Sequence, residues 1–98
     1  MKTINMGLEN TELYSGCEIK EIGGRLTLTT AVAEAVNIVG RNAKKIVDAT
    51  PAIERSEVTL TGAMAVWAYL VVVHQVMHPF GKVYYDDGRT GPVLIAQH

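Results

Sequence analysis

GKVYYDDGRTGPVLIAQ (81–97) decides how this chain is read. Two apolar runs flank Asp87-Gly88, a dipeptide that strongly signals a reversal between neighbouring strands, so a C-terminal β-hairpin is expected. Immediately upstream, AMAVWAYLVVVHQVM (63–77) is apolar nearly all round. Such a helix is either buried outright or covered on its second face by another subunit. Pro79 disfavours helical backbone at His78, so the helix stops there.

Working back toward the start, EVTLTG (57–62) reads as a short strand with Val58 and Leu60 on one face and Gly62 at its end. DATPAIERSE (48–57), with Pro51 and several charges, is a surface connection. Before it, Val32, Val36 and Val39 recur at helical spacing. Thr29 or Thr30 is the candidate cap, and Arg41, Lys44 and Lys45 gather toward the C-terminal end, where cations suit the dipole. A helix over about 31–47 is expected. ELYSGCEIKEI (12–22) alternates imperfectly, and GGRLTLTT (23–30) puts Leu26 and Leu28 on one face, so a strand pair turns at Gly23 and Gly24. The first eleven residues have no clear period and read as a frayed end or an edge strand. The sum is one small α+β domain over 1–98, a mixed sheet with about two helices and a C-terminal β-hairpin.

Composition narrows the function classes. With 98 residues, 48% of them hydrophobic, one compact core forms, but a chain this short buries a modest share of its surface and self-association is expected. A formal charge of -1 excludes a generally basic nucleic-acid coat and leaves room for a small anionic ligand. The single cysteine, Cys17, has no partner for an internal disulfide and reads as a thiol in a reducing compartment. No leader pattern opens the chain and the apolar run 63–73 is too short to span a bilayer, so a cytoplasmic protein with no membrane partner is expected.

Four polar residues crowd the C-terminal quarter: His78, Asp87, Arg89 and His98, with His74 and Asp86 nearby. His74 and His78 have the i, i+4 spacing that metal sites use, yet no third ligand accompanies them; the spacing favours a packed histidine and a helix-end histidine over a metal pair. For the turn, Asp87 and Gly88 serve chain reversal, with Asp86 and Arg89 as solvated neighbours. The other reading requires the hairpin tip to lie beside the C-terminal end of the second helix. An imidazole, a carboxylate and a guanidinium would then converge, and those groups suit phosphodiester cleavage: the carboxylate holds a divalent metal, the imidazole moves a proton, the guanidinium binds phosphate. Trp67, Tyr69, Tyr84 and Tyr85 are either core or stacking surfaces for bases. No P-loop, GxSxG or CxxC pattern is present, and Asn10-Thr11-Glu12 supplies no glycosylation sequon.

TGAMAVWAYLVVVHQVMHP followed by VYYDDGRTGPVLIAQH resembles the small stand-alone CRISPR-associated ring nucleases of type III systems, a family first described as a manganese-dependent, deadenylating RNA exonuclease. That family reads Gly-Arg-x-Pro-x-Trp at a helix start, a His-Pro-like helix end, Tyr-Asp-Pro-Arg-Leu-Gly, a β-branched run and a closing Ser-His. The resemblance covers 61–98. It aligns His78 with the helix-end histidine, Asp87 with the acid of the turn, Arg89 with its arginine, Gly91 with its glycine and His98 with the closing histidine. It implies a protein that binds cyclic tetra-adenylate and cleaves it with Mn2+, RNA being a wider substrate. It also implies a homodimer, two of which sandwich the ligand so that a second copy completes each site. On this basis Asp87 serves the metal or proton abstraction, His78 acid/base work, Arg89 the scissile phosphate, and His98 and Gly91 the ligand. Gly88 stands where the family has proline, Thr90 where it has leucine and Ala63 where it has arginine. These departures keep open a non-catalytic cyclic-oligoadenylate-binding protein, and a structural oligomerisation module is the third reading.

Overall fold

The computed structural model of the protein describes residues 2–97. Its elements run β1 (Lys2–Asn5), β2 (Ile19–Ile22), β3 (Arg25–Leu28), α1 (Val32–Ala49), a 3-10 turn (Ala52–Glu54), β4 (Glu57–Thr61), α2 (Val66–Val76), β5 (Lys82–Asp86) and β6 (Pro92–Gln97). The chain is the expected α+β domain with two helices, a mixed sheet and a C-terminal strand pair. The first residues are the edge strand of the two alternatives: β1 pairs in parallel with β4, Ile4 opposite Leu60.

The main sheet has the order β1-β4-β5-β6, with β4 parallel to both neighbours and β6 antiparallel to β5. Parallel neighbours need crossover connections. α1 lies in the first and α2 in the second. Alternation along the strands sends Ile4, Val58, Leu60, Val83 and Ala96 to one face, where they form a single core with Val39, Ala43, Ile46 and Val47 of α1 and Ala68, Val72 and Val76 of α2. Trp67 and Tyr69, both partly buried, pack against that core. β2 and β3 form a separate two-stranded hairpin turning at Gly23 and Gly24.

Two details of α1 differ from expectation. Neither threonine caps it: the N-cap is Ala31, without a side-chain bond. Thr30 Oγ1 accepts the Glu18 amide at 2.7 Å and Thr29 Oγ1 donates to the Glu18 carbonyl at 3.1 Å, so the threonines close the base of the hairpin instead. The helix also runs on to Ala49, which leaves Arg41, Lys44 and Lys45 short of its last turn. The cation at the end comes from the following loop: Arg55 donates through Nε to Thr50 O and through Nη2 to Val47 O, both at 2.9 Å. Asn42, buried in α1, donates to the carbonyls of Leu13 and Ser15, both at 2.8 Å, and so anchors the irregular segment between β1 and β2.

Gly62 sits at φ 111°, and a Cβ there would lie 2.5 Å from Asn5 Oδ1. Only glycine lets β4 leave the sheet this close to β1. Chain direction then fixes the ends of the molecule. β1, β4 and β5 all finish on one edge, where α2 begins, and α2 returns to the opposite edge, where β5 starts.

Candidate functional site

The loop joining β5 to β6 is residues 87–91, longer than a two-residue Asp-Gly reversal. Its shape is set by aspartate side chains accepting from backbone amides two and three residues ahead, the habit that favours Asp in turns. Asp86 Oδ1 accepts the Gly88 amide at 2.8 Å. Asp87 Oδ1 accepts the Arg89 amide at 2.8 Å and the Thr90 amide at 3.1 Å. Gly88 takes φ 80°, which a side chain would strain. Thr61 Oγ1 donates to the Asp86 carbonyl at 2.9 Å, tying the loop to the end of β4.

These amide donors hold the Asp87 carboxyl below its ordinary value, the Arg89 amide contributing most and the Thr90 amide next. Asp87 is therefore a carboxylate near neutral pH. One of its oxygens is taken by the loop, and among the described residues no hydrogen bond occupies Oδ2. Arg89, two residues on in the same loop, is exposed.

Next to the loop, Tyr85 meets Tyr69 of α2 edge to face, with ring centroids 5.4 Å apart and planes at 87°. Tyr69 is fixed by donating its hydroxyl to the Gly62 carbonyl. With Met64 and Val66 the two rings line a cleft of about 310 Å³. Burial raises the Tyr69 hydroxyl's pKa, with a smaller push from Tyr85, so the ring remains a neutral phenol. α2 begins at the same edge without a side-chain cap, its N-cap being Ala65. The carboxyl edge of the parallel strands thus carries a carboxylate, a guanidinium, an aromatic cleft and a helix N-terminus. Open sheets with parallel strands bind ligands at this edge.

His78 is elsewhere. It follows α2 in the turn that leads to Phe80, whose amide donates to Val76 O at 3.2 Å, and Gly81 docks on Arg55 O at 3.0 Å. The whole of β5 separates this end from the loop, four residue steps or about 13 Å. The hairpin tip lies beside the N-terminal end of α2, not its C-terminal end, so the convergence on which the catalytic reading depended does not occur within one chain. Both His74 and His78 are exposed. Among the described residues no group of three or more His, Cys, Asp or Glu is placed to hold a metal. His98 lies outside the described residues. Gly91, with φ 83°, closes the loop ahead of Pro92.

Sequence reasoning missed Asn42, Arg55 and the split between the two edges. The Lys82–Gln97 pairing and the parallel β4–β5 pairing produce that split, and both are long-range facts without a local signature. A cleft of about 510 Å³ also escaped notice; it runs between α1 and α2 and is lined by Gly40, Arg41, Lys44, Leu70, Val71 and His74. It contains none of the aligned residues. Among the described residues no helix is long and apolar enough to cross a membrane. No protein-family model matches the chain, and neither a curated protein nor a solved structure does.

Proposed function

We propose that the protein binds cyclic tetra-adenylate and cleaves it to linear oligoadenylates, and that each working site is built from two copies of the chain. The observation that carries the reading is the carboxyl edge of the sheet, where Asp87 and Arg89 stand beside the Tyr69–Tyr85 cleft. The resemblance of 61–98 to the type III ring nucleases supports the choice of ligand. The separation of His78 from the loop supports the need for a partner.

In this reading Arg89 holds the scissile phosphate through paired donors, and a neighbouring adenine stacks on the tyrosine cleft. The ribose 2'-hydroxyl attacks phosphorus, forming a 2',3'-cyclic phosphate and expelling the 5'-oxygen. A proton leaves the 2'-oxygen and another reaches the 5'-oxygen. A carboxyl held low in pKa is a weak base, so Asp87 serves charge and orientation, and the partner's copy of His78 handles the proton. His98 contributes to ligand binding. The free Oδ2 of Asp87, with Asp86 beside it, suits one largely hydrated Mn2+, which would supply charge neutralisation at the phosphate.

A second reading has its own support. Both aspartates are spent in part on the loop, and Ala63 removes a cation from the start of α2, which suits a protein that retains the ring without cutting it. Labelled cyclic tetra-adenylate incubated with the protein, in Mn2+ or in EDTA, separates the two. Linear products in Mn2+ that fall away in EDTA are expected. Stoichiometric retention of intact ring would establish sequestration, and neither binding nor product would remove both readings.

A further inference from the structure

Another cleft, of about 450 Å³, opens on the other flank of the α2 start, between the β2–β3 hairpin and the residues that lead into the helix. Arg25, Leu26, Val32, Met64 and Trp67 are among its walls. Met64 also lines the Tyr69–Tyr85 cleft, so the two clefts adjoin across one side chain. On α2, Trp67 and Tyr69 are about 200° apart around the axis, and each ring serves one flank.

Ile22, Leu26 and Val32, three of the large apolar side chains that stay exposed, all border this cleft. Apolar side chains gathered round a concavity, unlike ones scattered singly, mark a place where a ligand sits. Trp67 packs against the core yet is only partly buried, which leaves part of the indole in the cleft wall. All four residues of β3 line the cleft, although neighbours in a strand point to opposite faces, so it runs along the edge of β3 that β2 does not pair. Charge selects the class of occupant. Among the described residues Arg25 is the only ionisable side chain lining the cleft, and its guanidinium makes no hydrogen bond or ion pair. Residues 61–73, which include the α2 start, supply no cation of their own. A flat, largely apolar group bearing a nearby negative charge matches these walls: indole and leucine take a base, and the guanidinium takes a phosphate.

We propose that this cleft binds a second nucleotide of the ring, its adenine against Trp67 and Leu26 and its phosphate on Arg25. The identity of the ligand rests on the proposed function. Neighbouring nucleotides of one ring are a single phosphodiester step apart, and the two adjoining clefts receive them on the two flanks of the α2 start. Arg25 lies outside 61–98, so the β2–β3 hairpin contributes to ligand choice from a part of the chain that the resemblance does not cover.

Trp67 is the single tryptophan of the chain, so its fluorescence reports on this cleft. The test titrates the full chain with cyclic tetra-adenylate in EDTA, which withholds the metal that cleavage is expected to need, and follows indole emission alongside equilibrium dialysis of labelled ring. Emission of the wild type should change along the dialysis isotherm. Arg25→Gln should raise the dissociation constant at least ~10-fold with an unchanged far-UV spectrum, and Arg25→Lys, which keeps the charge without the paired donors, should fall between the two. Arg41→Gln is the control: Arg41 is also exposed but lines the α1–α2 cleft, and its loss should leave ring affinity unchanged. Ring bound by the wild type with Trp67 emission unmoved, or bound equally well by Arg25→Gln, overturns this site and leaves the proposed function standing. No ring bound by the wild type overturns both.

Discussion

Asp87 has two tasks that one substitution can separate. Its Oδ1 shapes the loop through the Arg89 and Thr90 amides, while its charge faces solvent and, in the proposed reaction, the phosphate and metal. Asp87→Asn keeps an acceptor oxygen for the amides and removes the charge. The expected result is a melting temperature lowered only slightly, with cleavage reduced at least 100-fold, about 2.7 kcal/mol of lost transition-state stabilisation; product chromatography and thermal unfolding read the two quantities. The sign of the pH effect follows from the lowered carboxyl. Its folded value lies below the ordinary 3.8, so its contribution to the loop is complete above that value and is lost as pH falls through the folded one. The Arg89 and Thr90 amide resonances should therefore move only in acid below about pH 4, and a transition near neutrality would contradict the assignment.

At the scale of elements, most of the architecture was legible because it is written in local periods. The 2-residue alternation of 57–61, the 3.6-residue recurrence across 32–39 and the glycine pair at 23–24 each name their element without help from the rest of the chain. What was illegible depends on distant partners. Thr29 and Thr30 look like caps until Glu18 takes them, and Arg55, in a loop with no period, caps α1 from six residues beyond its end. Arg55→Ala leaves two carbonyls without their charged donor and should cost about 1.5–3 kcal/mol, a fall of several degrees in melting temperature. Arg55→Lys, which cannot reach both carbonyls in one plane, should recover only part of it. Indifference of the melting temperature to Arg55→Ala would show that water satisfies those carbonyls.

For the whole molecule, the telling fact is that residues nine apart in sequence, His78 and Asp87, end on opposite edges of the sheet. Sequence proximity suggested one cluster; parallel pairing of β4 and β5 forbids it, because α2 must return the chain to the far edge before β5 can start. In the proposed function each site is shared by two copies, which reconciles the alignment of these residues with their separation. That makes cooperation between chains the central claim. The direct measurement is cleavage of labelled cyclic tetra-adenylate by His78→Ala, by Asp87→Ala and by an equal mixture of the two after exchange of subunits. If each site takes one residue from each chain, both variants alone are inactive and the mixture recovers about a quarter of the wild-type rate, since chance assembles one site in four from two intact contributions. A mixture as inactive as its components, with subunit exchange verified, would contradict the shared site.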